Sequence, residues 1–257
     1  LPSAATVAEL PKWQGGVQRE GRTRAPGSMF PLRDDNPAEL FPVVTFALIL
    51  VTAGVWLVVQ GAGLSPDTLL GSVCTYGAIP AELTGAGEWS SSPCEPGGLA
   101  WSAVATSMFL HGGWGHLIGN MWFLWIFGNN VEDSMGHLRF VAFYLLAGLA
   151  AAGAHTVSDP ASTLPMVGAS GAISAIMGAY LVLYPRARVK TLLFLFIFIT
   201  VVDLPAFAYL GYWFLIQLVS AQVPAMGGGV AFWAHVGGFV AGVILVFLFR
   251  NDRLVQA

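Results

Sequence analysis

Residues 165–184 read PMVGASGAISAIMGAYLVLY. Ser170 stands among Gly168, Ala169 and Gly171, at the head of a run that stays apolar to Tyr184. Its hydroxyl could pack against a neighbouring helix, cap the first turn, or act as a nucleophile. The apolar run points to a helix inside a membrane, and the rest of the chain must decide between the three roles.

Composition supports the membrane. The 257 residues are 56% hydrophobic and only 10% charged, with a mean hydropathy of +0.69, whereas soluble domains carry about 25% charged residues. Crossing a hydrocarbon core of about 30 Å takes about 20 apolar residues, and several runs approach that length. Backbone in hydrocarbon must satisfy its own hydrogen bonds. The expected fold is therefore all-α: a polytopic bundle of six transmembrane helices, at about 42–60, 114–130, 140–157, 169–185, 204–221 and 231–249. A net charge of −3 points to neither nucleic acid nor an acidic partner.

The basic residues orient this bundle. Lys12, Arg19, Arg22, Arg24 and Arg33 precede the first span, and Arg139 lies between the second and third. Arg186, Arg188 and Lys190 follow the fourth span, and Arg250 and Arg253 follow the sixth. All eleven fall on one side, which the positive-inside rule makes cytoplasmic, together with both termini. The run 191–221 is too long for one crossing, since 31 helical residues would span about 46 Å. Asp203 and Pro205 interrupt it, so 191–203 is expected to be an interfacial or broken segment with Asp203 near the inner surface. Residues 1–28 lack the apolar centre of a signal peptide. They read as a disordered tail or an upstream extension, within a cytoplasmic segment 1–40. Ordered structure is expected from about Phe41, with the membrane domain at 41–250 and a second cytoplasmic tail at 251–257. The outer loop holds both cysteines, Cys74 and Cys94, which can pair in an oxidising compartment or remain free, because spacing fixes no geometry.

Polar side chains inside the spans need a reason to be there. His137 falls in a cytoplasmic loop and His155 at the outer end of the third span, where neither needs a special role. His116 and Asn120 are four apart and share a helix face, which must look toward protein or water rather than lipid. An interhelical hydrogen bond that only stabilises packing would explain them equally well. His235 lies beside a small-residue stripe of Ala234, Gly238 and Gly242 that lets another helix approach closely; it is either a packing histidine or a catalytic one. At about 1.5 Å per residue, Ser170 and His235 differ in depth by only about 5 Å, and His116 and Asn120 occupy a similar outer zone. Their chemistries match. A serine hydroxyl becomes a nucleophile when a neutral imidazole accepts its proton. Acyl transfer also needs donors aimed at the developing oxyanion, which a helix N-terminus, His116 and Asn120 could supply. No acidic third member is apparent at this depth, so the arrangement reads as a Ser–His dyad.

These segments resemble the rhomboid intramembrane serine proteases. GASGA at 168–172 matches the surroundings of the family's nucleophile, and AHVGGFVAG at 234–242 those of its base. His116 and Asn120 match the oxyanion pair, and GNNVEDSMGHLRF at 128–140 resembles the loop after the second span. The likeness covers roughly residues 41 to 250. It implies a six-helix fold with a water-filled cavity open to the outside, with Ser170 as nucleophile and His235 as base and then acid. His116, Asn120 and the Ser170 N–H would hold the oxyanion. The implied substrates are single-span membrane proteins cleaved near the outer boundary. The implied setting is the bacterial cytoplasmic membrane with its lipids, and no metal or organic cofactor is implied. Two positions depart from the family pattern. Ser174 stands where many relatives have a Tyr packed on the histidine, leaving His235 to be oriented by Trp233 or the adjacent helix. Trp101-Ser102 replaces a common Trp-Arg pair.

Two other functions compete. Non-catalytic relatives bind and escort membrane proteins, but they usually lack the serine or the histidine, and both are present here. A small transporter would carry charge or paired broken helices in both halves, and neither these nor an internal repeat is visible.

Overall fold

Each of the six apolar runs forms a helix, as backbone removed from water requires. The computed structural model describes residues 28–90, 92–97, 100–195, 198–222, 230–251 and 254. In chain order the helices are α1 (Val43–Val58), α2 (Pro66–Tyr76), α3 (Pro80–Thr84), α4 (Trp101–Thr106), α5 (Trp114–Met135), α6 (His137–Ser158), α7 (Ser170–Leu183), α8 (Ala206–Ala221) and α9 (Phe232–Phe249). Among the described residues, α6 and α9 are long and apolar enough to cross a membrane; α1, α7 and α8 are shorter apolar helices.

α7 is the central element, buried without interruption from Gly171 to Tyr180. The expected small-residue stripe explains how α9 reaches it. A Cβ at Gly238 would overlap the Gly171 carbonyl, one at Gly242 the Ala175 carbonyl, and one at Gly178 the Phe239 carbonyl. Backbone against backbone is the contact that glycine permits, and it brings the first turns of α7 and α9 together. Phe127, Phe140, Phe143 and Tyr180 fill the core below that contact.

The all-α expectation is corrected in one region. Strands β1 (Ser28–Asp34), β2 (Arg188–Leu195) and β3 (Phe198–Pro205) form a three-stranded antiparallel sheet in that order. The run expected to be interfacial or broken is thus a β-hairpin. Its Thr, Val, Ile and Phe content suits a pleated surface, and Pro205 ends the ladder where α8 begins. Lys190 and Asp203 face each other across β2 and β3 and pair at 3.2 Å. Both are well exposed, so the pair stabilises the hairpin by less than about 1 kcal/mol.

Order also begins earlier than Phe41, correcting the 1–40 tail, whose residues 1–27 lie outside the described residues, as do 252, 253 and 255–257 of the expected C-terminal tail. β1 pairs with β2, the Trp122 indole N–H donates to Pro31 O at 2.8 Å, and the Tyr180 hydroxyl donates to Asp34 Oδ2 at 2.6 Å. Two carboxylates from the last turn of α5 hold the segment that follows. Asp133 accepts the Glu39 and Leu40 N–H groups at 3.0 and 2.9 Å. Glu132, fully buried, accepts the Val44 and Thr45 N–H groups, each at 2.8 Å, and the Thr45 hydroxyl at 2.7 Å. Pro42 provides no side-chain cap for α1, so Glu132 satisfies that helix's orphan donors and complements its dipole from another helix. His137, for which no special role was expected, packs its Nδ1 2.6 Å from Glu132 Oε1.

In the loop preceding α5, Cys74 and Cys94 form a disulfide, which decides the alternative that spacing left open. Beside it, Ala78 and Met166 exchange two backbone hydrogen bonds, at 3.1 and 2.8 Å. This loop therefore props the strand-like segment that leads into Ser170.

Candidate active site

Ser170 is the first residue of α7, and the chain reaches it through a bend that only glycine makes easily. Gly168 has φ +122°, its N–H donates to Ser107 O at 2.9 Å, and it lies against the His116 ring. A Cβ there would sit 2.8 Å from both His116 Nε2 and Cε1, and 3.6 Å from Ser170 Oγ. Glycine at 168 thus serves both the backbone conformation and the space between two functional groups.

His235 sits one turn into α9. Its Nε2 is 2.9 Å from Ser170 Oγ, and its Nδ1 is 2.7 Å from Gln217 Oε1 on α8. The Gln217 oxygen can only accept, so the ring proton belongs on Nδ1 and the Nε2 lone pair faces the serine hydroxyl. Trp213, one turn earlier on α8, lies with its ring centre 6.0 Å from that of His235. The orienting groups therefore come from the adjacent helix. Ser174 leaves the histidine alone and donates its hydroxyl to Ser170 O at 2.6 Å.

His116 is the third residue of α5. Its Nδ1 accepts the Gly112 N–H at 3.3 Å, which leaves the proton of a neutral ring on Nε2, the nitrogen that faces Gly168. Behind it the buried His111 ring stands edge-on, with centres 4.9 Å apart. Gln60, two residues beyond the end of α1, clamps the His111 backbone by accepting its N–H and donating to its carbonyl, each at 2.8 Å. Asn120, 7% exposed, donates one side-chain N–H to His116 O at 3.0 Å, one turn back on its own helix.

Ser170, His235, His116, Asn120, Gly168 and Trp213 line one cavity of about 650 Å³. All four residues singled out in the sequence meet there. Three of them stand in the first turns of α7, α5 and α9, whose free N–H groups and dipoles favour negative charge. Two residues were missed: Trp213, which lines the cavity, and Gln217, which meets the far nitrogen of His235. A lone amide in the 16-residue apolar helix α8 carries the same cost in a membrane that singled out the histidines, and that signal would have found it. Among the described residues no three His, Cys, Asp or Glu side chains gather to hold a metal.

A serine hydroxyl in contact with an imidazole nitrogen, with N–H donors across a cavity, can in principle carry out acyl transfer, and here it is set among apolar helices. The chain belongs to the rhomboid family: the family's Rhomboid domain matches residues 99–252, more than half its length. It is 29% identical over 147 residues to the mitochondrial presenilin-associated rhomboid-like protein of Mus musculus, covering 55% of this chain and 36% of that one. It is 27% identical over 146 residues to the mitochondrial rhomboid protein 1 of Saccharomyces cerevisiae, covering 55% and 40%. It is 34% identical over 125 residues to the rhomboid protease GluP of Bacillus subtilis, covering 49% and 21%. The matched stretch is well under half the length of each of these relatives. Family and apolar helices together mark a membrane protein.

Proposed function

We propose that the chain is an intramembrane serine endopeptidase that cleaves single-span membrane proteins near the outer membrane boundary. The observation that carries this is the 2.9 Å contact between Ser170 Oγ and His235 Nε2 inside the cavity. Ser170 Oγ attacks the peptide carbonyl carbon as its proton passes to His235 Nε2. The carbonyl oxygen becomes an oxyanion, held by the Ser170 N–H, the His116 Nε2–H and the Asn120 amide. His235 then protonates the leaving amine, and water, deprotonated by the same nitrogen, releases the acyl group from Ser170. No metal or organic cofactor takes part. The kinship with a rhomboid protease of Bacillus subtilis supports the reaction class.

The six apolar helices are the membrane crossings in this proposal, with both ends of the domain cytoplasmic, because Arg33, Arg139, Arg186, Arg188, Lys190 and Arg250 all fall on the side opposite the first turn of α7. The host is the bacterial cytoplasmic membrane, and lipids and transmembrane substrates are the partners.

The test is cleavage of a labelled single-span substrate by purified protein in liposomes. Wild type should cleave, while Ser170→Ala and His235→Ala should not. Asn120→Ala should lose about 10²–10³ in rate, as for removal of one oxyanion donor. Equal cleavage by Ser170→Ala would overturn the proposal.

A further inference from the structure

A histidine that works as a base needs its other nitrogen held. The imidazole of His235 must present an unprotonated Nε2 to Ser170, so Nδ1 must carry the proton and place it on an acceptor. In many serine hydrolases that acceptor is a carboxylate. The titratable groups that bear on the His235 ring, among the described residues, are two other histidines, His116 of α5 and His155 of α6, and neither supplies a carboxylate. Ser174 is committed to the Ser170 carbonyl. The group that meets Nδ1 is the Gln217 carboxamide oxygen, at 2.7 Å, from a residue only 8% exposed.

We infer that Gln217 is the positioning residue of the site, the third member of a Ser170–His235–Gln217 relay in which a neutral amide takes the place of an acid. The role presupposes the Ser170-dependent hydrolysis proposed above. Gln217 fixes the tautomer of His235, and with Trp213 four residues before it on the same helix face it fixes the ring plane. Two consequences separate it from a packing residue. An amide accepts the Nδ1 proton without stabilising imidazolium as strongly as an anion would. It also ties the competence of the base to α8, so a substrate that displaced α8 would release the ring.

Three variants test the role in purified protein, with thermal melting to establish folding. Gln217→Met keeps length and apolar volume but lacks the acceptor. Gln217→Asn keeps the amide but withdraws it by one methylene. Both should lower kcat about 10- to 100-fold with KM little changed, the scale seen when the hydrogen-bond partner of a functional histidine is removed. Gln217→Glu restores an acceptor and adds charge, which favours the protonated ring. The acid limb of its kcat–pH profile should move about one unit or more to higher pH, with activity recovering above that limb. If Gln217→Glu does not fold, the rate at which a fluorophosphonate labels Ser170 in Gln217→Met, compared with wild type across pH, carries the same information. Wild-type kcat in folded Gln217→Met, or a Gln217→Glu acid limb superimposed on that of wild type, would overturn the inference. Those results together with inactive Ser170→Ala would leave the hydrolase intact and remove only Gln217; cleavage by Ser170→Ala would remove both.

Discussion

Gly168 and His116 meet so closely that a single methyl group on Gly168 would stand 2.8 Å from the His116 ring. The same glycine holds φ at +122°, a conformation that a side chain strains by about 1–3 kcal/mol. Gly168→Ala should therefore push the His116 donor away from the place where an oxyanion would form. We expect cleavage to fall at least about tenfold, toward the loss of an oxyanion donor, with a modestly lower melting temperature. Unchanged kcat in this variant would show that the approach of Gly168 to His116 has no bearing on activity.

The contact between α7 and α9 predicts a contrast between two glycines. A Cβ at Gly238 would overlap the Gly171 carbonyl, whereas one at Gly211 of α8 meets nothing within 4 Å. Gly238→Val should destabilise by about 1–3 kcal/mol or more, the cost of overpacking, and should also separate Ser170 from His235. Gly211→Ala should be neutral or slightly stabilising, since alanine is the better helix former by about 1 kcal/mol. Melting temperatures of the two variants in one detergent decide it, and equal effects would contradict the packing described.

Asp34 makes stability depend on pH. Burial pushes its carboxyl from an ordinary 3.8 up to about 6, outweighing the opposing effect of the Tyr180 hydroxyl bond. The folded state thus holds this proton more tightly than the unfolded chain. The contribution to stability is fully present below pH about 4 and is lost as pH rises through about 6. Asp34→Asn should remove that dependence, so its melting temperature relative to wild type should rise between pH 4.5 and 7.5. A constant difference across that range would show that Asp34 is not coupled to folding.

The Cys74–Cys94 disulfide closes a loop whose ends are 20 residues apart, and loops of that size are stabilised by about 3 kcal/mol in the chain-entropy description. Within this loop, Gly77 and Ala78 pack against and pair with Pro165, Met166 and Val167, just before the serine. Reduction by a dithiol should lower the melting temperature and reduce cleavage, and Cys74→Ser should reproduce both and lose the gel shift on reduction. A reduced protein as stable and active as the oxidised one would contradict a supporting role for the loop.

Much of the fold and the site is legible in the sequence. The helices follow from apolar runs, because hydrocarbon leaves the backbone few alternatives. Ser170, His235, His116 and Asn120 stood out because polar side chains at one depth in a membrane need partners. The Gly238 and Gly242 stripe correctly implied a close helix neighbour. The sheet did not show. Residues 191–202 are almost uniformly apolar, and a run without alternation does not tell a strand from a helix, while the partner strand β1 lies some 160 residues away in sequence. Gln217 escaped notice because it was read as part of an apolar span, and the pairing of Cys74 with Cys94 stayed one of two alternatives because spacing does not set geometry. Nor could Asn120's turn toward His116 O be read from a spacing that fits inward and backward bonding alike.

The most direct test of the central claim is covalent labelling of the serine. Purified protein is treated with a fluorophosphonate and the adduct is mapped by peptide mass spectrometry. The account predicts one adduct, on Ser170, formed in wild type and absent in His235→Ala and Ser170→Ala, with the same dependence seen in substrate cleavage. Labelling of another serine together with undiminished cleavage by Ser170→Ala would contradict it.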